Sequence, residues 1–295
     1  MSGETRFLPL EMPGLGGKPG HGELSLGVTF TRPAPSADRH AAIYYLHGGG
    51  MLFGTRDDLP SDYADAILER GFTLVALDYP LAPQASIGEI LDVVERAYLT
   101  AREALPESSA FLCGRSAGAY LCLMLARRLQ LRGVPPAGVI DFYGYCNLAG
   151  EMRAALLQPS IFYRRSYALV TPRVARKLSG VDLLCDAPLE RRFGLYVYAR
   201  QTGSWGSLLG LTADTLAGFS LDARAQGELP PLFIAASRDD CDVPFQNSAR
   251  LAQNARSATA HFVESGGHDF DRDSARPEGP AAWRACLEWA EGLIL

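Results

Sequence analysis

Gly114-Arg115-Ser116-Ala117-Gly118 is a G-x-S-x-G sequence set between a strand-like apolar run, Ser109 to Cys113, and a helical apolar run, Tyr120 to Leu131. A serine on a tight strand-to-helix turn is held in a cramped backbone conformation, and glycines two residues to either side let the strand and helix approach without clashing Cβ atoms. Its hydroxyl then projects above the sheet as a nucleophile. Ser116 is therefore the first candidate, and the rest of the chain is read for the parts such a nucleophile requires.

Upstream, Ala41 to Leu46 is a short continuous apolar run of the kind a sheet buried on both faces requires. It ends in His47-Gly48-Gly49-Gly50, where consecutive glycines free the backbone to turn N–H groups toward a developing negative charge. Ser61 to Arg70 has helical spacing, Phe72 to Leu77 is another buried strand running into Asp78-Tyr79-Pro80-Leu81-Ala82-Pro83, and Ile87 to Leu105 is an amphipathic helix. Gly138 to Tyr143 reads as the strand after the serine's helix. Downstream, a strand at Pro231 to Ser237, a helix at Ser248 to Arg256, a strand at Ala258 to Val263 and a helix at Pro280 to Leu293 resume the pattern. Alternating strands and helices predict an α/β fold with a mostly parallel, doubly wound sheet and helices on both faces.

Two segments break the alternation. Residues 1 to about 40 are rich in Gly and Pro and read as an irregular lead-in with one edge strand, Glu23 to Phe30. Residues 146–228 carry helical pieces, including Pro172 to Leu178 and Phe193 to Arg200, with many aromatic and Arg residues. So long a stretch between two sheet strands is expected to be a helical cap inserted into a body formed by 1–145 and 229–295. Caps over the carboxyl ends of strands shape pockets, and some of its aromatics are expected to face a cavity.

Composition narrows the class. The 28 basic against 33 acidic residues leave a net charge of -5, which offers no electrostatic reason to expect nucleic acid or an anionic membrane as partner. Lysine occurs only at Lys18 and Lys177, neither in a candidate pocket segment, so Schiff-base chemistry has no good candidate. No run reaches the length of a membrane span, and the first residues lack the apolar segment of a signal peptide, so a cytoplasmic location is expected. Six scattered cysteines without metal spacing are expected to be free thiols, with Cys241 in a loop among acids.

Five histidines make the search for a base short. His21 and His40 lie in the lead-in, His261 inside a strand, and His47 in the glycine loop, where an imidazole braces backbone. His268, in Gly266-Gly267-His268-Asp269-Phe270, alone follows a strand on a Gly-rich loop downstream of both serine and acids. Three aspartates follow Ser237. Asp240, four residues before Pro244, is the expected partner of His268, and Asp239 and Asp242 are expected to be solvated loop carboxylates.

Taken together, HGGG at 47–50, DYPLAP at 78–83, GRSAG at 114–118, D-x-x-V-P at 240–244 and GGHDF at 266–270 resemble the hormone-sensitive-lipase-like branch of the α/β-hydrolase carboxylesterases. The chain order Ser116, Asp240, His268 is that of α/β-hydrolase triads. The resemblance implies an esterase with a cap and no cofactor, acting on a small-molecule ester, with dimerisation through an outer sheet edge or terminal helix plausible. It implies an oxyanion hole from the N–H groups of Gly49 and Gly50, to which Ala117 adds its own as the residue after the nucleophile. Family members usually carry Asp where this chain has Arg115, and Arg and Glu where it has Pro80 and Gln84. Arg115 is expected either to reach a surface carboxylate or, with Arg164 or Arg165, to recognise an acidic substrate. An acyltransferase or thioesterase of a biosynthetic pathway would use the same three side chains, and a binding protein without chemistry is the rival from another class.

Overall fold

The computed structural model describes residues 4–11, 23–106, 109–182 and 184–294; His21 and Lys18 lie outside them. Among the described residues eight strands form one sheet: β1 (Glu4–Glu11), β2 (Glu23–Thr31), β3 (Ala41–Leu46), β4 (Phe72–Leu77), β5 (Ser109–Arg115), β6 (Gly138–Phe142), β7 (Leu232–Ser237) and β8 (Ala258–Val263). Their spatial order is β1-β2-β4-β3-β5-β6-β7-β8. The strands from β3 to β8 pair in parallel, and β1 and β2 add an antiparallel edge. The lead-in is therefore not irregular throughout, because Glu4–Glu11 pairs with β2 along its whole length. Charged residues and Pro9 hide the strand in the sequence, and an outermost position is where a strand tolerates them.

Period-2 alternation sorts the strand side chains onto two cores. Ile43 and Tyr45 face one side with α1 (Ser61–Glu69) and, at the end of the chain, the C-terminal helix Glu278–Glu291, where Tyr63, Trp283 and Leu287 pack. Tyr44 and Leu46 face the other side, packed with Ile90 and Val94 of α2 (Ile87–Glu103) and Leu121 and Leu125 of α3 (Ala117–Leu131). α2 starts on a capping box, Ser86 accepting from the Glu89 N–H while the Glu89 carboxylate accepts from the Ser86 N–H, an arrangement that satisfies two otherwise orphaned donors. α3 is apolar nearly all round because the sheet covers one side of it, α2 packs beside it and Tyr120 reaches Phe219 O of the segment between β6 and β7.

Between β6 and β7 the described residues hold no strand but helices: α4 (Arg153–Leu157), α5 (Ile161–Ser166), α6 (Pro172–Ser179), α7 (Leu189–Thr202), α8 (Trp205–Leu208) and α9 (Ala223–Gly227), with a 3-10 turn at Leu216–Phe219. One antiparallel bridge, Gly54 to Ala187, ties this insertion to the loop after β3. α10 (Gln246–Asn254) and α11 (Glu278–Glu291) complete the chain. Since β3, β4, β5, β7 and β8 all run the same way, the loops that follow them emerge at one edge of the sheet. Among the described residues no helix is long and apolar enough to cross a membrane.

Candidate active site

The turn from β5 to α3 holds Ser116 at φ 53°, ψ -118°, a region that a residue with a Cβ occupies only under strain. Its N–H donates to Phe142 O on the neighbouring strand (2.9 Å), which helps hold the turn in that conformation. Gly118 is obligatory here, because a Cβ would lie 2.0 Å from Leu46 O. α3 begins at Ala117, earlier than its apolar pattern predicts, because the strained serine itself stands at the N-cap position.

Far from Ser116 in sequence, the loops after β7 and β8 bring up the other two predicted side chains. His268 Nε2 lies 2.8 Å from Ser116 Oγ, and His268 Nδ1 lies 2.7 Å from Asp240 Oδ2. The second oxygen of Asp240 accepts from the N–H groups of Asp242 (2.8 Å) and Val243 (2.9 Å), so the carboxylate is aimed by its own loop. Burial works against a charged imidazolium at His268, but the adjacent Asp240, with Asp242 and Asp269 farther off, outweighs it and raises the pKa to about 9.

The two flanking aspartates are not simply solvated. Asp239 accepts from Ser237 Oγ and from the N–H groups of Gly266 and Gly267, fastening the histidine loop to the acid loop, and these donors hold it below the usual carboxylate range. Asp242 is paired with Arg200 of α7 and accepts from the hydroxyls of Tyr163 and Tyr196, each 3.0 Å away. Burial would push its pKa up, yet Arg200 and these hydroxyls keep it low. Loop position alone suggests exposure, but the inserted helices fold down over Asp242.

The glycine loop lies opposite. Gly49 sits at φ 95°, where a Cβ would meet Phe53 O at 2.0 Å. His47 points away from the reaction line: its ring stacks on Tyr79 (4.2 Å), Nδ1 lies 2.8 Å from Gly48 O, and burial lowers its pKa so that it stays neutral. Tyr79 Oη donates to the carbonyls of His47 (2.9 Å) and Gly48 (3.1 Å), and Trp205 Nε1 donates to Gly50 O (3.0 Å). The bond to Gly48 O holds the peptide unit that carries the Gly49 N–H, and the bond to Gly50 O holds the unit that follows Gly50.

Arg115 reaches a carboxylate, as one expectation had it, but a buried one. Its side chain is 2% exposed and packs under the histidine loop: Nη2 donates to Asp271 Oδ1 (2.8 Å) and Nε to Tyr143 Oη (2.6 Å). Tyr143 donates to the same Asp271 oxygen, Trp283 Nε1 to the other, and the Tyr143 ring meets the His268 ring edge-on at 4.8 Å. Arg164 and Arg165 lie on exposed α5, away from Arg115 and outside the cavity lining. Arg115 itself borders the cavity, where its Nη1 makes no hydrogen bond and lies 3.7 Å from Asp58 Oδ2, and Arg164 and Arg165 do not join it there. The sequence does not announce this network, in which Arg115 and Asp271 alone lie 156 residues apart.

Ser116, His268, Gly49 and Gly50 border one cavity of about 710 Å³. Phe53, Phe162, Tyr167, Phe193 and Tyr196 make one wall, and Asp58, Asp239, Asp269 and Arg272 contribute a polar side. Some of the aromatics expected to face a cavity do so, whereas Trp205 is spent on the glycine loop. A hydroxyl, an imidazole and a carboxylate in hydrogen-bonded series can pass a proton from the serine as its oxygen attacks an electrophilic carbon.

Residues 43–190 match the family model described as alpha/beta hydrolase fold. Esterase LipU of Mycobacterium tuberculosis is 33% identical over 156 residues, which is 48% of this chain and 50% of that protein. The non-reducing polyketide synthase adrD of Penicillium rubens is 34% identical over 146 residues, 43% of this chain and 6% of that much longer protein. The matches thus span at most half the length of these curated relatives. An alpha/beta hydrolase superfamily protein from Enterococcus faecalis superposes with a TM-score of 0.79 at 28% identity, over 90% of this chain and 94% of that one. With the sheet order, the strained serine turn and these matches in agreement, the chain belongs to the α/β-hydrolase family, in which its motifs are hormone-sensitive-lipase-like.

Proposed function

We propose that this protein is a serine hydrolase that cleaves a carboxylic ester of a small to medium substrate through an acyl-enzyme. The observation that carries the proposal is the unbroken line Ser116 Oγ, His268 Nε2, His268 Nδ1, Asp240 Oδ2, with contacts of 2.8 and 2.7 Å. Ser116 attacks the acyl carbonyl while His268 takes its proton, and Asp240 keeps the imidazole in the right tautomer and stabilises the imidazolium. His268 then returns the proton to the leaving alcohol, and water repeats the sequence on the acyl-enzyme. The N–H groups of Gly49, Gly50 and Ala117 receive the oxyanion, each such donor worth roughly 3 kcal/mol in the transition state. The segment 146–228 serves as the cap, and the cavity of about 710 Å³ falls in the range of pockets for small organic ligands, roughly 300–1,000 Å³. Unpaired thiols at all six cysteines suit a reducing, cytoplasmic setting.

Ser116→Ala should lower kcat for p-nitrophenyl butyrate by on the order of 10⁶ while leaving the fold intact. Turnover by the variant at the parent rate would sink the assignment. A second reading, acyl transfer or thioester release in a biosynthetic pathway, draws support from the similarity to part of a polyketide synthase. It predicts that an added alcohol or amine outcompetes water for the acyl group. A Ser116 that resists a fluorophosphonate probe would instead favour a binding protein.

A further inference from the structure

The net charge of -5 conceals a local reversal, since residues 161–178 contain Arg164, Arg165, Arg173, Arg176 and Lys177 and no acid. All five side chains are exposed. Among the described residues none has an ion-pair partner, although most of the arginines on the body do. The same segment exposes apolar side chains: Leu169 is 77% exposed, Ile161 68% and Val174 46%. Its inward positions are already taken, Ala175 and Tyr163 being buried and Leu178 packing toward Gly194 of α7. The linker between α5 and α6 is pinned from below by Gln201, which donates to the carbonyls of Tyr163, Tyr167 and Ala168 and accepts from Val170 N–H. The exposed side chains are therefore presented by a supported surface. Phe162 and Tyr167 on this surface also line the cavity, so its mouth opens there.

We propose that the α5–α6 face docks on an anionic lipid surface, with the cations meeting headgroups and Leu169, Ile161 and Val174 entering the layer beneath. An exposed apolar cluster of this kind marks an interaction site, and unpaired cations around it select a partner of negative charge. A second copy fits poorly, because a two-fold interface brings a patch against itself and would set these cations against one another without a single acid in the segment. The apolar side chains sit on an outward face where a lipid layer can take them without shape complementarity. No spanning helix is needed for this mode of binding.

The test is co-sedimentation of the full chain with vesicles of phosphatidylcholine alone and of equal parts phosphatidylcholine and phosphatidylglycerol. The expected result is salt-sensitive binding to the anionic vesicles only. Arg173→Gln with Lys177→Gln should weaken it by roughly 25-fold, about fivefold for each cation lost near the surface. Leu169→Ser should weaken it separately, and all variants should keep the parent's melting temperature, so that a loss of binding is not a loss of folding. Absence from both pellets, equal binding to both vesicles, or unchanged binding by the double variant would overturn the proposal. Because the readout is sedimentation, it does not depend on Ser116 being a nucleophile.

Discussion

Two buried ion pairs flank His268, and they differ in what they join. Below the imidazole, Arg115 at the end of β5 meets Asp271 just past the histidine, with both side chains almost wholly buried and both Asp271 oxygens occupied by donors from Arg115, Tyr143 and Trp283. Above it, Arg200 of the inserted helix α7 meets Asp242 of the acid loop beside the cavity. Arg200 also lies over the rings of Tyr163 (4.9 Å) and Trp205 (5.2 Å). The lower pair joins the end of β5 to the loop after His268, and the upper one joins a helix between β6 and β7 to the loop after β7. Burial makes the first nearly indispensable, because a charge left alone in a dry site has neither water nor a partner. The second retains phenolic donors and some water if broken, so it can yield without unfolding the molecule.

That contrast is most easily broken at Arg115. Arg115→Met strands Asp271 and should destabilise the protein by about 3–5 kcal/mol, the usual consequence of removing one partner from a buried pair. Adding Asp271→Asn should recover part of the loss, and urea denaturation curves measure both. Arg200→Met should cost less, about 1–3 kcal/mol, since Asp242 keeps two tyrosine donors. Its signature should be kinetic, with KM for p-nitrophenyl butyrate rising by a larger factor than kcat falls. Equal stability losses in the two variants would erase the distinction between the pairs.

The pH profile sharpens the comparison from the side of His268. A base must be neutral, so with its pKa raised to about 9, kcat/KM should climb as pH rises from 7 and level off above about 9. Stability follows the opposite course. The folded state holds this proton more tightly than an ordinary histidine at 6.5, so the contribution is complete below about 6.5 and is lost as pH rises through about 9. Asp242→Asn removes one of the charges that raise the value, and the activity midpoint should move to lower pH. A midpoint unmoved in that variant would separate the upper pair from the proton line. The smallest effects belong to the glycine-loop braces. Tyr79→Phe and Trp205→Phe each delete hydrogen bonds to its carbonyls, and each should cost about 1 kcal/mol of transition-state stabilisation, roughly fivefold in kcat.

How much of this could be read in advance depended on whether a residue's role is local. Ser116 was readable because the strand, the glycines and the helix that create its turn are its own neighbours. Ala41–Leu46 and Leu232–Ser237 declared themselves as interior strands by composition alone. Glu4–Glu11 did not, because an edge strand needs no apolar pattern and its partner lies on the far side of a Gly- and Pro-rich stretch. Arg115 was misjudged for the same reason: a guanidinium looks solvated until Asp271, Tyr143 and Asp58 are known to surround it. Asp242 looked like Asp239 in the sequence, and only the descent of α7 separates their environments.

By itself the sequence determined the periodicities that make the sheet, the glycines that permit two abrupt turns, and the chemical types able to form a proton line. These depend on backbone sterics and on residues a few positions apart. Which carboxylate meets which guanidinium, which aromatic ring faces the cavity and which braces a loop, and where unpaired cations collect on the surface were decided only by tertiary structure. Burial and Coulomb interactions act through space, between segments whose separation along the chain carries no trace of their contact.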